Sequence, residues 1–180
     1  MAKHRTRTTI ATSHDNHVFN IRPARLEDFE EIYGIFCQIL DEGMTYSYTR
    51  EEMTPERSLA YWMTAPDTHC YVADVGGKVA GIATIRRNRT GRAEHVANAS
   101  FIVHPEFRGM GIAKALGGHA LKTAKKLGYK AMQFNFVVST NEVAVKLWQS
   151  LGMKIVGTLP KGFRHAKKGY VDVYVMHQFL

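Results

Sequence analysis

One short segment constrains the fold of this chain more than any other. It is the turn of sequence RGMGIA from Arg108 to Ala113, which follows an apolar, strand-like segment at 99–103 and precedes a long helical pattern. A strand that ends in a glycine-bearing turn and leads into a helix leaves several backbone N–H groups without partners, so the turn can bind an anion. Gly109 and Gly111 let the backbone approach a ligand, and Arg108 adds positive charge at the rim.

The spacing of this turn excludes two well-known phosphate motifs. No Gly-Lys-Ser/Thr follows it, so it is not a Walker loop, and Lys114 stands where the dinucleotide fingerprint needs glycine. We therefore predict a pyrophosphate site that belongs to neither motif. Two glycines alone would favour an ordinary tight turn between a strand and a helix, but the neighbouring elements favour the phosphate site.

Length and composition predict one globular domain at residues 18–180, after a disordered or flexible tail at 1–17. The chain has 180 residues, 45% of them hydrophobic, which is enough to bury one core. It contains neither an apolar run of about 18 to 20 residues that could span a membrane nor a secretory signal. We therefore expect a cytoplasmic protein with no membrane partner.

The charge and the cysteines exclude further classes. The net charge of +8 is spread over several short basic clusters, so we predict a polyanionic small ligand and no nucleic-acid partner. Cys37 and Cys70 lack CxxC spacing and a histidine cluster, so neither a disulfide nor a metal site is predicted.

Alternating strands and helices predict an α/β fold with a mixed, mostly antiparallel sheet. Strands are expected at 18–22, 70–75, 78–86, 95–103, 131–138, 153–158 and 170–179, and helices at 26–40, 54–63, 109–127 and 141–151. The helix between strands four and five makes a right-handed crossover, so these two strands should be parallel neighbours. The long, apolar last strand is the predicted contact in a homodimer.

Three motifs in this order resemble the GNAT (Gcn5-related) N-acetyltransferases over nearly the whole chain after His17. They are Ile21-Arg22-Pro23-Ala24 followed by Asp28, the R-x-x-G-x-A turn at Arg108, Gly111 and Ala113, and Asn141-x-x-Ala144-x-x-Leu147-Trp148-x-x-x-Gly152-Met153. Segments 98–103, 133–141, 163–165 and 169–172 look most like the branch with fungal azetidine-2-carboxylate acetyltransferases and uncharacterised bacterial relatives.

The resemblance implies a GNAT fold in which strands four and five splay apart to bind acetyl-CoA. By this resemblance, residues 101–103 hold the pantetheine arm, and the glycine turn together with Lys114 binds the pyrophosphate. Asn141 and Trp148 of helix four also contact the cofactor. The implied residues are Phe101, Ile102, Val103, Arg108, Gly109, Met110, Gly111, Ile112, Ala113, Lys114, Asn141 and Trp148. Asn141 is also explained as a helix N-cap. Trp148 stands where many members have a tyrosine acid, and an indole cannot supply a proton.

Two asparagines, Asn98 and Asn135, lie in otherwise apolar neighbouring strands. Buried carboxamides need hydrogen-bond partners, and a polar substrate pocket would supply them, so we predict this pair as the catalytic residues. Because neither is a base, they would position and polarise the substrate while water takes the proton. Strand bulges or buried water are the alternative explanation for both.

Other candidates for the acceptor side carry weaker signals. His95 and His165 have a suitable ordinary pKa, yet a lone histidine is more often exposed or hydrogen-bonded. Glu42, Tyr46 and Tyr48 lie in a loop that commonly covers the acceptor site in the family. Arg164 is a candidate partner for a substrate carboxylate.

The predicted function is an acetyl-CoA-dependent N-acetyltransferase that transfers the acetyl group directly to the amine of a small molecule, such as an amino or imino acid. Direct transfer is expected because neither cysteine lies near the predicted slot. A protein lysine or N-terminal acetyltransferase is the alternative within enzymes, and an open groove would favour it. A non-catalytic acyl-CoA-binding module is the alternative of another class.

Overall fold

The computed structural model describes residues 9–12 and 18–180, which fold around one eight-stranded sheet. The strands are β1 (Thr9–Thr12), β2 (Val18–Pro23), β3 (His69–Val75), β4 (Lys78–Arg87), β5 (Val96–Val103), β6 (Ala131–Val138), β7 (Lys154–His165) and β8 (Gly169–Phe179). Their order across the sheet is β1-β2-β3-β4-β5-β6-β8-β7. The α-helices of the described residues are α1 (Phe29–Glu42), α2 (Pro55–Leu59), α3 (Ile112–Lys126) and α4 (Glu142–Ser150). None of them is long and apolar enough to cross a membrane.

The central strands β5 and β6 are parallel, and every other neighbouring pair in the sheet is antiparallel. β5 and β6 pair only at Val96–Ala131 and Ala97–Met132, near the start of each strand. Beyond these two pairs the strands separate, and a register shift between Phe134 and Val137 marks a bulge in β6. The predicted α/β fold with a splayed central parallel pair is confirmed.

The helices bury the two faces of the sheet. On one face, Phe36 of α1 and Trp62, just after α2, are fully buried in one cluster with Ile102 of β5. On the other face, α3 and α4 cover β6, and Trp148 packs in a second cluster with Phe134. Each large apolar side chain buried in this way contributes roughly 1.5–3 kcal/mol to folding.

Two local signals set the position of the loop between α1 and α2. Gly43 ends α1 in the left-handed region, at φ +60°, and donates its N–H to Leu40 O. Thr54 starts α2 by accepting a hydrogen bond from Arg57 N, and Pro55 occupies the first turn. A π-helical turn, Ala60–Thr64, continues α2 to the region where the sequence predicts its end.

Two differences from the sequence-based expectations concern the ends of the chain. Residues 9–12, expected in a disordered or flexible tail, form β1 and pair with β2, whereas 1–8 and 13–17 lie outside the described residues. The segment 161–168, which lies between the strands expected at 153–158 and 170–179, contains the end of β7. Lys161 adopts φ +52° within a bulge between Leu159 and Phe163, after which β7 pairs with β8 again.

The last strand is not at an edge of the sheet. β8 lies between β6 and β7 and pairs with both, so its backbone has no free side for a second subunit. The expected dimer contact through the last strand is therefore wrong. The terminal strands of the described sheet are β1 and β7.

Candidate active site

The gap between β5 and β6 exposes backbone groups in a regular pattern. Asn88 N donates to Val96 O at 2.8 Å and His104 N donates to Ala80 O at 3.0 Å, so the even-numbered residues of β5 bond to β4. The odd-numbered residues after the last parallel pair turn their N–H and C=O groups toward the gap; they are Ala99, Phe101 and Val103. Of the predicted arm-binding residues, Phe101 and Val103 face the gap, whereas Ile102 faces β4.

The glycine turn stands at the end of β5, as the sequence predicts. Gly109 and Gly111 have φ values of +85° and +73°, which glycine adopts without strain. Gly111 is the N-cap of α3, and no described side chain caps that helix, so the N–H groups of its first turn are available to an anion. Ile112 is buried in the core, so it contributes through its backbone. Arg108 donates to Glu42 Oε1 at 2.6 Å, so its charge is already paired.

A cavity of about 290 Å³ lies in and above the gap. Its walls are 98–101 of β5, 134–138 of β6, and Asn141, Ala144 and Trp148 of α4 or its start. Residues 45–48 of the loop after α1, together with Tyr61 and Arg86, complete it. No Asp, Glu, His or Cys of the described residues is among the lining residues.

Tyrosines from the α1–α2 region reach β5. Tyr46 Oη donates to Phe101 O at 3.0 Å, and Tyr61 Oη lies 2.7 Å from Ser100 Oγ. Burial is the main cause that raises the pKa of both phenols, that of Tyr46 well above its ordinary value of 10. Both hydroxyl groups therefore remain protonated at neutral pH.

The two predicted catalytic asparagines come together in a cluster of carboxamides. Nδ2 of Asn98 and Nδ2 of Asn135 both donate to Asn88 Oδ1, at 3.2 and 2.6 Å. Gln133 Nε2 donates to Asn135 Oδ1 at 2.8 Å. We call these four residues the amide cluster. Asn98 and Asn135 line the cavity, so the cluster forms part of its polar wall.

A positive charge stands in the same wall. The Arg86 guanidinium lies 4.5 Å from the centre of the Tyr61 ring, and its Nη1 donates to Tyr61 O at 3.0 Å. No carboxylate of the described residues forms an ion pair with Arg86. Arg164, the predicted carboxylate partner, is exposed on β7 opposite Tyr170 and does not line the cavity.

The two predicted residues of α4 both reach the cavity. Asn141 is the N-cap, with Oδ1 accepting from Ala144 N at 3.2 Å, and Nδ2 is not used by that cap. Trp148 is buried with ring-centre distances of 4.7 Å to Phe101 and 5.0 Å to Phe134. A Cβ at Gly117 would stand 2.9 Å from Trp148 Cζ3, so the absence of a side chain at Gly117 leaves room for the indole.

The remaining titratable candidates lie elsewhere. His95 is exposed before β5, and His165 is buried at the end of β7 with Nδ1 accepting from Lys167 N. Cys37 is buried in α1, and burial raises the pKa of the Cys70 thiol to about 12. None of the four lines the cavity.

The sequence profile of the family described as "Acetyltransferase (GNAT) family" matches residues 33–153, about two thirds of the chain. This range contains the glycine turn, the gap and all the described lining residues of the cavity. The chain belongs to this GNAT family.

A solved GNAT structure from Kribbella flavida has the same fold. It is 42% identical, with a TM-score of 0.86, and the match covers 90% of this chain and 98% of that one.

Two curated relatives match the acetyltransferase region. The N-acetyltransferase aca1 of Schizosaccharomyces pombe is 33% identical over 112 residues, 62% of this chain and 54% of the relative. The N-acetylaspartate synthetase of Xenopus tropicalis is 33% identical over 130 residues, 65% of this chain and 46% of the relative. The chain thus spans about half the length of the curated relatives that it matches.

Sequence reasoning missed Asn88, Arg86, Gln133 and Tyr61 in this GNAT site. Gln133 carries a usable signal, because it is two residues before Asn135 and so shares its face of the strand. Asn88 and Arg86 carry none, since they stand in a polar run at the end of β4. Only the tertiary fold brings that run to the gap.

Proposed function

We propose that this chain is an N-acetyltransferase that takes the acetyl group of acetyl-CoA and transfers it directly to the amine of a small amino or imino acid. The observation that carries this proposal is the continuity of the site. The gap between β5 and β6 leads from the glycine turn to a cavity lined by Arg86 and by Asn98 and Asn135 of the amide cluster.

The residues around the gap suit acetyl-CoA. The uncapped start of α3 offers N–H groups to a pyrophosphate, and a Cβ at Gly109 would meet no atom within 4 Å, so the backbone there is open. Ala99 and Val103 present N–H and C=O groups to which an amide-bearing arm can bond as an added strand would. Arg108 can add charge to this site, and Glu42 competes for it.

Acetyl-CoA, when bound, supplies the acetyl group as a reactive thioester. The chain's own residues then orient the amine and exclude bulk water. Tyr46 and Tyr61 cover the cavity, and the hydrogen bond of Tyr46 to Phe101 O fixes the covering loop on β5. Trp148 packs against Phe101 and completes the apolar wall of the cavity. Its indole N–H can donate a hydrogen bond but is not acidic enough to protonate a leaving group.

Direct transfer follows from the side chains of the cavity. With no Cys, His, Lys, Asp or Glu among the described lining residues, the cavity offers neither a thiolate nor a base that could activate the hydroxyls of Ser47 and Ser100 to form an acetylated enzyme. It offers no base for the amine either, so the amine loses its proton to water, and the CoA thiolate leaves as the anion as the C–S bond breaks. Oδ1 of Asn98 is the carboxamide oxygen that can accept from the amine.

Arg86 supports an acceptor with a carboxylate. A guanidinium that pairs with no described carboxylate, in a wall of neutral groups, can form two parallel hydrogen bonds with a substrate carboxylate. An amine on Asn98 and a carboxylate on Arg86 are the two ends of an amino or imino acid. The name of the N-acetylaspartate synthetase relative also describes an acetylated amino acid.

The small size of the cavity favours a small acceptor over a protein. Ala166 N, in the turn between β7 and β8, donates to Gly43 O at 3.0 Å, which joins that turn to the loop covering the cavity. A volume of about 290 Å³ is at the small end for ligand pockets.

A screen of amines tests the proposal. Thiol release from acetyl-CoA is followed with DTNB in the presence of single amino acids, imino acids, polyamines and a lysine peptide. We expect turnover with one or more amino or imino acids and background rates with the peptide. Binding of acetyl-CoA without turnover of any amine would instead support a non-catalytic acyl-CoA-binding module.

A homodimer is part of the proposal, with the edge strand β7 as its contact. Ile155, Val156 and Leu159 of β7 expose much of their apolar surface, and β7 pairs with β8 on one side only among the described strands. Sedimentation of Val156→Glu beside the unchanged protein tests this, with a smaller species expected for the variant.

The cytoplasmic location and the absence of nucleic-acid and membrane partners remain predictions from the sequence.

A further inference from the structure

One side-chain oxygen joins the two sides of the opening between β5 and β6. Asn88 Oδ1 accepts from Asn98 on β5 and from Asn135 on β6. An amide oxygen has two lone pairs, so these two hydrogen bonds use its full accepting capacity. Asn88 follows β4, 10 residues before Asn98 and 47 before Asn135.

We propose that Asn88 is the positioning residue of the acceptor site, which sets the direction of the carboxamides of Asn98 and Asn135. Its effect on catalysis rests on the proposed function, since the amine is the group that Asn98 would receive. Asn88 acts through these two residues and does not itself touch the reacting atoms.

The backbone holds Asn88 at the place where this role is needed. Its N–H donates to Val96 O, and Val96 forms the first of the two parallel pairs that join β5 to β6. Asn98 is the first residue of β5 beyond those pairs. The Asn88 side chain therefore bridges the strands where their own hydrogen bonding ends, and it is half-buried there.

The direction of a carboxamide decides what it can bind. Its nitrogen only donates and its oxygen only accepts. A rotation of the carboxamide by 180° therefore places its NH₂ group where its oxygen was, and the NH₂ group cannot accept from an amine N–H. Because Nδ2 of Asn98 is directed at Asn88, Oδ1 of Asn98 has no donor among the described residues and can accept a hydrogen bond from an amine. Asn135 is held at both ends, by Asn88 and by Gln133.

Removal of the Asn88 oxygen should therefore release both groups. In Asn88→Ala, neither Nδ2 has its acceptor, and the Asn98 carboxamide can turn either way. We expect the KM for the amino acid to rise about ten-fold, the effect of one lost hydrogen bond to a polar group. The KM for acetyl-CoA should change less than about two-fold, because the glycine turn is untouched. Asn88→Asp keeps two accepting oxygens and should recover most of the loss.

Two measurements test the proposal, and one of them needs no acceptor. In protein labelled with ¹⁵N-asparagine, the side-chain NH₂ protons of Asn98 and Asn135 should exchange with water at least about five-fold faster in Asn88→Ala. Asn20→Ala, on the exposed face of β2, is the matched control and should leave both rates unchanged. The kinetic measurement uses the amino acid with the highest turnover in the amine screen.

The outcomes separate the two proposals. Faster exchange together with a raised amino-acid KM, restored by Asn88→Asp, supports the positioning role. A double variant Asn88→Ala/Asn135→Ala should then lose less than the product of the single losses, because both act in one network. Unchanged exchange, or equal rises in the KM of both substrates, would overturn it. A screen without turnover would count against the proposed function alone, and the exchange rates would still decide the role of Asn88.

Discussion

The two halves of the proposed site are built from different parts of the chain. The donor half is backbone: the glycine turn at 108–114 and the groups of β5 that face the gap. The acceptor half is side chain: Arg86, the amide cluster and the tyrosines that cover the cavity. The donor half is continuous in sequence, whereas the acceptor half joins residues of separate strands and helices, with hydrogen bonds between residues up to 55 positions apart.

The two halves of the site depend on different properties of the chain. A backbone site depends on φ and ψ, so a change that forbids a left-handed glycine should damage it. A side-chain site depends on the identity and direction of a few polar groups, so it can change its ligand without altering the fold. Changes in one half should therefore leave the affinity of the other nearly unchanged.

The largest expected effect concerns the charge in the acceptor half. Arg86→Gln removes the only cation of the cavity wall among the described residues, and kcat/KM for an amino acid should fall about 30-fold, the value of a charge-assisted hydrogen bond. The control substrate is the carboxamide derivative of the same amino acid, for which kcat/KM should change little in Arg86→Gln. The control variant is Arg164→Gln, which changes an arginine outside the cavity. Equal losses with both substrates would show that Arg86 does not bind the carboxylate.

The donor half should respond to a change of backbone conformation. Gly111→Val places a β-branched residue at φ +73°, which costs about 1–2 kcal/mol, so CoA should bind about ten-fold more weakly in a calorimetric titration. Gly76→Val is the control, since Gly76 has φ +59° in the β3–β4 turn and open space around its Cβ position. Unchanged CoA affinity in Gly111→Val would remove the glycine turn from the donor half.

The pH profile should report the acceptor and not the enzyme. Tyr46 and Tyr61 have raised pKa values and keep their protons at neutral pH, so the rate should follow the unprotonated fraction of the amine, about ten-fold per pH unit. Acceptors of different pKa should move the profile with them. A break near pH 6.5 that is the same for every acceptor would reveal a base in the chain.

The same tyrosines predict a loss of stability in alkali. Because their folded pKa values exceed those of the unfolded chain, the stabilisation is complete below pH 10 and declines as the pH rises through the folded values. Thermal unfolding at rising pH should show this decline, and Tyr46→Phe should reduce it. A pH-independent melting temperature up to pH 11 would contradict the burial of these phenols.

The smallest effect is expected at the cysteines. Cys37→Ser with Cys70→Ala should retain kcat within about two-fold, because neither thiol lines the cavity and burial suppresses the Cys70 thiolate. Mass spectrometry of the enzyme after mixing with acetyl-CoA should show no acetylated cysteine. A strong loss of kcat, with an acetylated thiol in the unchanged protein, would refute direct transfer.

The donor half could be predicted because its signals are local. Apolar alternation locates β5, and two glycines next to a helical pattern locate the turn, all within one stretch of sequence. The same is true of Asn135 and Asn98, which stand out as carboxamides in apolar strands. The approximate centre of the acceptor half was therefore predictable as well.

The rest of the acceptor half could not be predicted from local patterns. Arg86 and Asn88 lie at the end of β4, and they reach the cavity only because β4 pairs with β5 and β5 separates from β6. Arg164 is the carboxylate partner that the sequence predicts, and the extension of β7 through a bulge places it away from the cavity. Strand continuation through a positive φ at Lys161 has no periodic signal.

Asn135→Ala tests the separation of the two halves most directly, through its turnover with the preferred amino acid and its calorimetric affinity for CoA. Asn135 stands in β6 beside the gap, and its carboxamide bonds only to the amide cluster among the described residues. We predict that turnover falls about ten-fold while the Kd for CoA stays within about two-fold. Equal losses of turnover and CoA affinity would place Asn135 in the donor half and would show that the two halves are not separate.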